Sequence, residues 1–367
     1  MRKETWGGTM KRLACSLVGV AALAVVPFIV KAQEAGYPIT VIAPGKGPYS
    51  FPAGYQTPWD KIEIMVTEKM SPNLFVLHGS QGLDQAHPDA SGGRALALFG
   101  PDGVLLVDTQ NRQVADKTLK ALRTFTDGPI RILVNTHVHS DHTGANAFFA
   151  RQGALIYAQD NLRREMLRQP PRANGQPIPE PDMAGIPVAT YNYAAATSGE
   201  PAVTFNMNGE TVDFIPMMPS HTAGDTIVRF RKANVIYIED FYRNFGYPFA
   251  DQANGGSIKG MVDAVDLIER LAGPETTLIP GHGTLVKKQD LLPYRAMLVD
   301  VMARVKALRA QNKSLKDVLA ANLTAPYDKT TMGDTQESKD RFIAEVYDEV
   351  DNFPPVVDGK RTMPRRP

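Results

Sequence analysis

Five of the seven histidines in this 367-residue chain sit in short motifs that suit metal ligation. Three of them share the stretch Asn135-Thr136-His137-Val138-His139-Ser140-Asp141-His142-Thr143-Gly144 with one carboxylate, Asp141. The stretch follows the apolar run Ile132-Leu133-Val134, which reads as the end of a buried strand. His137 and His139 are two residues apart, so on an extended backbone their rings point to the same side. Asp141 and His142 follow where the chain turns, before a helix opening near Thr143. Four such groups in an apolar core would carry a heavy desolvation cost unless something pairs with them. Imidazole and carboxylate are the usual borderline-to-hard donors for zinc. The stretch therefore reads as part of a metal site.

Two further histidines lie in tight turns. His221 sits in Pro219-Ser220-His221-Thr222-Ala223-Gly224-Asp225, and His282 in Ile279-Pro280-Gly281-His282-Gly283. Glycine there allows backbone geometry that presents a side chain to a cleft. Asp240 ends the apolar strand Val235-Ile236-Tyr237-Ile238. Asp108, at another strand end, reads either as a turn residue or as a partner that orients a ligand histidine. The loop Phe241–Phe249 is dense in aromatics and reads as a pocket wall, with Tyr242 or Tyr247 donating to a developing oxyanion. His78 and His87 lack such settings and read as structural or surface residues. Arg163, Arg164, Arg168 and Arg172 read as a solvated helix face.

These residues need strands ending at one edge. Strand-like runs cover 62–66, 74–78, 95–99, 104–107, 132–134, 154–158, 203–207, 212–216, 226–231, 235–239 and 277–279, separated by Gly and Pro turns. Helical periodicity covers 112–125, 143–151, 161–168 and 258–271. Two helix–strand sets in series suggest two sheets packed face to face with helices outside, an α/β architecture. Residues 169–201 hold seven prolines and no clear period. A loop of that length reads as a flap over the cleft that brings Tyr191 or Tyr193 to a substrate.

Lys11 and Arg12 precede an apolar run from Leu13 to Val30, and Val30-Lys31-Ala32 resembles a cleavage site. Residues 1–32 thus read as a secretory signal peptide, which implies a periplasmic or secreted protein with no stable membrane anchor after cleavage. The single cysteine, Cys15, falls within it, so no thiol nucleophile, thiolate ligand or disulfide is expected in the mature protein. The net charge of +1 gives no long-range attraction to nucleic acid, and no such partner is expected. The expected organisation is a signal peptide (1–32), an N-terminal arm (33–60), a catalytic domain (61–311) and a C-terminal helical extension and tail (312–367).

His-x-His-x-Asp-His after Asn135-Thr136 resembles the signature of the metallo-β-lactamase superfamily, and the likeness extends over about residues 75–290. The resemblance implies a four-layer αββα sandwich with two zinc ions at one edge of the sheets. It implies His137, His139 and His221 on one ion, Asp141, His142 and His282 on the other, and Asp240 bridging both. Glu239 departs from the glycine that the family generally has before the bridging Asp.

Two metals about 3.5–4 Å apart can hold a hydroxide whose pKa falls toward about 7, and this nucleophile needs no serine or cysteine. Asp141 and Asp240 would then be catalytic as well as ligating, Asp240 by aligning the hydroxide. The expected activity is hydrolysis of a small carbonyl substrate: a lactone, ester, amide or β-lactam. Alternatives are a dedicated β-lactamase of the cysteine-free subclass, a thioesterase of glyoxalase II type, and a non-catalytic metal-binding module. An iron persulfide dioxygenase would use fewer ligands than this set.

Overall fold

Strand ends converge on one edge of the molecule because two sheets, not one, carry the candidate ligands. The computed structural model describes residues 57–79, 92–168, 180–194, 196, 198–244, 246–328 and 335–350, with the backbone of 356–357 and 360–361. The expected signal peptide, residues 33–56 of the arm and residues 169–179 of the expected flap lie outside the described residues. His87 and Arg172 do too.

The first sheet runs in sequence order through β1 (Ile64–Ser71), β2 (Leu74–Gly79), β3 (Ala95–Gly100), β4 (Gly103–Val107), β5 (Ile130–Val134), β6 (Leu155–Gln159) and β7 (Ala189–Tyr191). It is antiparallel from β1 to β4 and parallel from β4 to β7. The second contains β8 (Val203–Met207), β9 (Glu210–Pro216), β10 (Thr226–Phe230), β11 (Val235–Glu239) and β12 (Thr277–Pro280), in the order β12-β11-β10-β9-β8. Only β11 and β12 are parallel there.

Three apolar layers hold the sheets and helices together. Between the sheets, Leu74, Val76, Leu96, Leu105 and Val107 meet Val212, Phe214, Val228, Phe230 and Tyr237. Alternate residues of the first sheet, including Leu77, Ala97, Leu106 and Leu133, turn outward to α1 (Ala115–Leu122) and α3 (Asn146–Ala150). On the far side Ile215, Ile227, Ile236 and Ile238 meet α5 (Ile258–Leu271), α6 (Leu291–Ala310) and α8 (Gln336–Glu349). The order is helix, sheet, sheet, helix, the expected four-layer sandwich. Strands buried on both faces are apolar at nearly every position, as their sequences show. Each fully buried Leu, Ile or Phe contributes about 1.5–3 kcal/mol, so the strand ends have a rigid base.

Helices beyond Leu291 belong to that outer core rather than standing apart from it: Val318 of α7 (Leu315–Ala320) and Phe342, Ile343 and Val346 of α8 are buried in it. Glu349 of α8 accepts hydrogen bonds from Ile258 N (2.6 Å), Lys259 N (3.0 Å) and Ser257 Oγ (2.6 Å) at the start of α5. A carboxylate there pairs with exposed helix N–H groups and with the helix dipole. Among the described residues no helix is long and apolar enough to cross a membrane.

Residues 180–201 are only partly the irregular flap that their prolines suggest. β7 lies inside this segment and extends the first sheet, pairing Tyr157 with Ala189 and Gln159 with Tyr191. A strand of three residues two positions after Pro187 is too short to show a period.

Candidate metal centre

β5 ends at Val134, and the next residues deliver the first ligands. Asn135 and Asn146 exchange side-chain hydrogen bonds of 3.0 and 2.7 Å, tying the loop after β5 to the start of α3. His139 O accepts from His142 N and Thr143 N, 3.0 Å each, which closes the short helix α2 (Ser140–Thr143). Thr226 N donates to Thr136 O (2.9 Å), joining this loop to the second sheet. That sheet supplies His221 from the loop before β10, Asp240 after β11 and His282 after β12.

The structure brings all seven sequence-derived ligands together, in three overlapping groups whose donor atoms lie within 4.8 Å of one another. One is His137, His139 and His221; another is Asp141, His142 and His282; the third joins His137, His142 and Asp240. Asp240 Oδ2 lies 3.3 Å from His282 Nε2, 3.6 Å from His142 Nε2, and 3.8 Å from both His137 Nε2 and His221 Nε2. One carboxylate oxygen thus faces histidines of both outer groups.

Hydrogen bonds on the opposite side fix several of the rings. His142 Nδ1 is 2.8 Å from Asp108 Oδ2, which leaves Nε2 for the cluster. His221 Nδ1 donates to Phe249 O (2.8 Å), so its Nε2 faces inward. His139 is reversed: Nε2 lies 2.8 Å from Asp251 Oδ2, and Nδ1 lies 3.0 Å from His221 Nε2. Such outer hydrogen bonds set the tautomer and the ring plane of a metal-binding histidine. Asp108 also accepts from Thr136 N (2.8 Å) and Thr136 Oγ1 (2.6 Å), so the orienting reading of this residue is the one its geometry supports.

The electrostatics suit a cation. His137 Nε2, His142 Nε2 and Asp240 Oδ1 are buried and have no hydrogen-bond partner among the described residues. Burial, then the neighbouring His142, pushes His137 well below its ordinary pKa, and burial lowers His221 to about 3. Burial would also depress His282, but Asp240 and Asp141 outweigh it and raise it to about 10. His142 is raised in the same way by Asp240, Asp141 and Asp108. Burial opposes ionisation of Asp240 too, yet His282 and His142 hold it well below the usual carboxylate range. Without a cation, protons on two imidazoles balance the carboxylates. The deprotonated His137 and His221, two imidazoles whose protons a cation would displace, and the Asp240 carboxylate form a donor set that fits zinc.

Close packing keeps the ligands in place. A Cβ on Gly93 would meet His142 Cε1 at 2.2 Å, and one on Gly281 would meet Asp240 Oδ1 at 2.0 Å. Arg94, buried below, donates to Pro280 O (3.0 Å) and Gly283 O and so clamps the His282 turn. Glu239 adopts φ 51°, the left-handed conformation that glycine takes more readily. Its carboxylate accepts from Asp240 N and Phe241 N (2.9 Å), a local turn that holds the residue in this region and leaves Asp240 in the cluster.

Three expected substrate-contacting tyrosines are placed elsewhere. Tyr247 stacks on Phe342, and its hydroxyl donates to Asp328 Oδ1 (2.5 Å), with Thr324 O at 3.1 Å. Tyr242 packs edge-on against Tyr294 within the outer apolar core. Tyr191 is buried between the sheets with its hydroxyl 3.0 Å from Thr226 Oγ1. All three follow from burial of their rings, which the aromatic density of a loop does not reveal. Sequence reasoning missed Asp251, Arg94 and the role of Phe249. Asp251 and His139 are 112 residues apart, and no local pattern links them.

A two-sheet αββα sandwich with His/Asp clusters at one edge is the fold of the metallo-β-lactamases. The chain matches the metallo-beta-lactamase superfamily over residues 90–282 and belongs to it. It is 30% identical over 149 residues to 2,4-dinitroanisole O-demethylase subunit alpha from Nocardioides sp. (strain JS1661), covering 40% of each chain. It is 33% identical over 79 residues to a linear primary-alkylsulfatase from Pseudomonas sp. (strain ATCC 19151), covering 20% of this chain and 15% of that protein. The chain thus matches 40% or less of the length of these relatives.

Among solved structures, the sec-alkylsulfatase Pisa1 from Pseudomonas sp. superposes with TM-score 0.57 at 15% identity, over 88% of this chain and 59% of that one. The metallo-β-lactamase FIM-1 from Pseudomonas aeruginosa gives TM-score 0.50 at 16% identity, over 66% of this chain and 97% of that one. These likenesses establish the fold.

Proposed function

We propose that the chain is a zinc-dependent hydrolase of a small carbonyl substrate, a lactone, ester, amide or β-lactam, that works with two zinc ions. The observation that carries this reading is Asp240, whose Oδ2 lies 3.3–3.8 Å from four histidines drawn from both ligand groups. His137, His139 and His221 would hold one ion, Asp141, His142 and His282 the other, and Asp240 would face both. When bound, the two cations would acidify a shared water and polarise the substrate's carbonyl oxygen.

The protein's own part is orientation and proton handling. Asp108, Asp251 and Phe249 O hold three imidazoles in the tautomers that ligation needs. Asp240 Oδ1, buried and without a hydrogen-bond partner among the described residues, would accept a hydrogen bond from an attacking water and align it. Tyr242 and Tyr247 take no part. Export through the leader-like segment 1–32 belongs to the same reading.

Zinc-loaded protein assayed with p-nitrophenyl acetate, a chromogenic β-lactam and an aryl lactone tests it. The expected result is turnover of at least one substrate that is lost on chelation and restored by zinc. No turnover of any of them would count against a carbonyl hydrolase. A second reading, sulfate-ester cleavage, is favoured by the 33% identity to the linear primary-alkylsulfatase. p-Nitrophenyl sulfate in the same assay separates the two.

A further inference from the structure

We infer that Glu345 of α8 is a positioning residue for the metal centre, acting on His221 through the peptide unit that joins Phe249 to Ala250. The inference rests on the zinc reading above in taking His221 for a ligand; the coupling of Glu345 to the His221 ring stands apart from it. α8 lies outside residues 90–282, which match the superfamily, so the centre would lean on a helix beyond the matched span.

One peptide plane links the two side chains. Phe249 O accepts from His221 Nδ1 (2.8 Å), and Ala250 N donates to Glu345 Oε2 (3.0 Å). That carbonyl and that N–H belong to a single planar unit, in which they point in opposite directions. Anchoring the N–H on Glu345 therefore aims the carbonyl at the imidazole, and hydrogen bonds linked in this way polarise one another. With Nδ1 held as a donor, His221 keeps Nε2 for the cation.

The same glutamate brackets the partner of a second histidine. Its backbone oxygen accepts from Gln252 Nε2 (2.9 Å), so the residues on both sides of Asp251 are tied to Glu345. Asp251 N donates to His221 O (2.8 Å), and Asp251 Oδ2 lies 2.8 Å from His139 Nε2. Segment 249–251 thus supplies outer partners to two histidines of one ligand group. It is closely fitted there: a Cβ on Gly256 would meet His221 O at 2.4 Å and Asp251 N at 2.6 Å. Other residues of α8 seat the same loop, Ser338 Oγ accepting from Tyr247 N (2.8 Å) and Arg341 Cζ lying 4.7 Å from the centre of the Phe249 ring. Of these, Glu345 is the one bonded to the peptide that faces His221. Burial raises its carboxyl to about 8 against the pull of Arg341, so near neutral pH Ala250 N meets an acceptor oxygen rather than a full charge.

Two measurements on the zinc-loaded full-length chain test the inference. In a chelator competition Glu345→Ala should weaken zinc binding by about 10–100-fold, the scale for disturbing the outer partner of a ligand histidine. Glu345→Gln keeps an acceptor oxygen of the same reach and should keep most of the affinity. Glu345→Asp draws the acceptor back from Ala250 N and should fall between them; it replaces Glu345→Ala if that variant gives no cooperative melt. Val346→Ala, the next residue of the helix and buried in the outer core, should lower the melting temperature and leave zinc affinity unchanged, which separates positioning from the docking of α8. Proton–nitrogen correlation spectra of the histidine-labelled chain supply the second readout. The His221 Nδ1–H, recognised by its absence in His221→Ala, should be protected from exchange in the wild type, Glu345→Gln and Val346→Ala, and lose protection in Glu345→Ala. A loss of affinity in Glu345→Ala no larger than in Val346→Ala, or an Nδ1–H that stays protected there, would overturn the inference. A wild-type chain that retains no zinc but shows a Glu345-dependent Nδ1–H would remove the zinc reading and keep the coupling.

Discussion

Substitution of Asp240 probes the joint between the two ligand groups. Its Oδ2 faces four Nε2 atoms at 3.3–3.8 Å, and its Oδ1 is buried with no hydrogen-bond partner among the described residues. Asp240→Ala removes one ligand from each proposed ion, the negative charge that raises His142 and His282, and the acceptor for the attacking water. Asp240→Asn keeps the shape and one oxygen but removes the charge. Loss of a single transition-state contact lowers kcat by about 10²-fold, and each tenfold corresponds to about 1.4 kcal/mol. Because Asp240→Ala removes orientation and polarisation together, kcat should fall by at least about 10²-fold, with Asp240→Asn falling less. KM should change less, since Asp240 faces the ligand cluster and is not expected to grip the remote part of a substrate. Steady-state kinetics at saturating zinc on whichever ester or lactone the enzyme turns over reads both constants. A near-normal kcat for Asp240→Ala would remove this residue from the chemistry and leave a site more like that of cysteine-free β-lactamases.

Asp251→Ala should weaken zinc binding by about 10–100-fold in a chelator competition, because His139 loses the partner that turns its Nδ1 inward; unchanged affinity would mean that another group sets that ring. Tyr247→Phe should cost about 1–2 kcal/mol of stability in a denaturant melt, since its hydroxyl holds Asp328 and Thr324, while kcat stays near the wild-type value. In the metal-free protein His282 keeps its proton up to about 10, so zinc must displace it. Apparent zinc affinity should therefore fall as pH drops from about 10, with protons released on binding at pH 7–8. Calorimetry in buffers of different ionisation enthalpy counts those protons, and a count of zero would contradict the charge assignment.

The ligand set was legible in the sequence because its signals are local. His137, His139, Asp141 and His142 lie within six residues, and His221 and His282 sit in glycine-containing turns. The sandwich was legible for a related reason: strands buried on both faces, such as Val104–Val107 and Val235–Ile238, are apolar throughout. Side-chain direction was not legible. Tyr242 and Tyr247 occupy the same loop as Arg243 and Phe249, yet they turn into the helical core. Contacts across long separations were hidden too, as with Asp251 and His139, or Arg341 reaching Phe249 from α8. Glu239 shows the converse. Its side chain marks an unusual position, but only the structure shows how that carboxylate supports a left-handed residue beside Asp240.

Metal content tests the central claim most directly. The full-length chain, saturated with zinc and freed of excess by gel filtration, should retain about two zinc ions per chain by elemental analysis. The double substitution His221→Ala with His282→Ala, which takes one ligand from each outer group, should lower that number while the circular dichroism spectrum stays native. Retention of less than about half an ion by the wild-type chain, or an undiminished content in the double variant, would contradict a two-metal centre built from these residues.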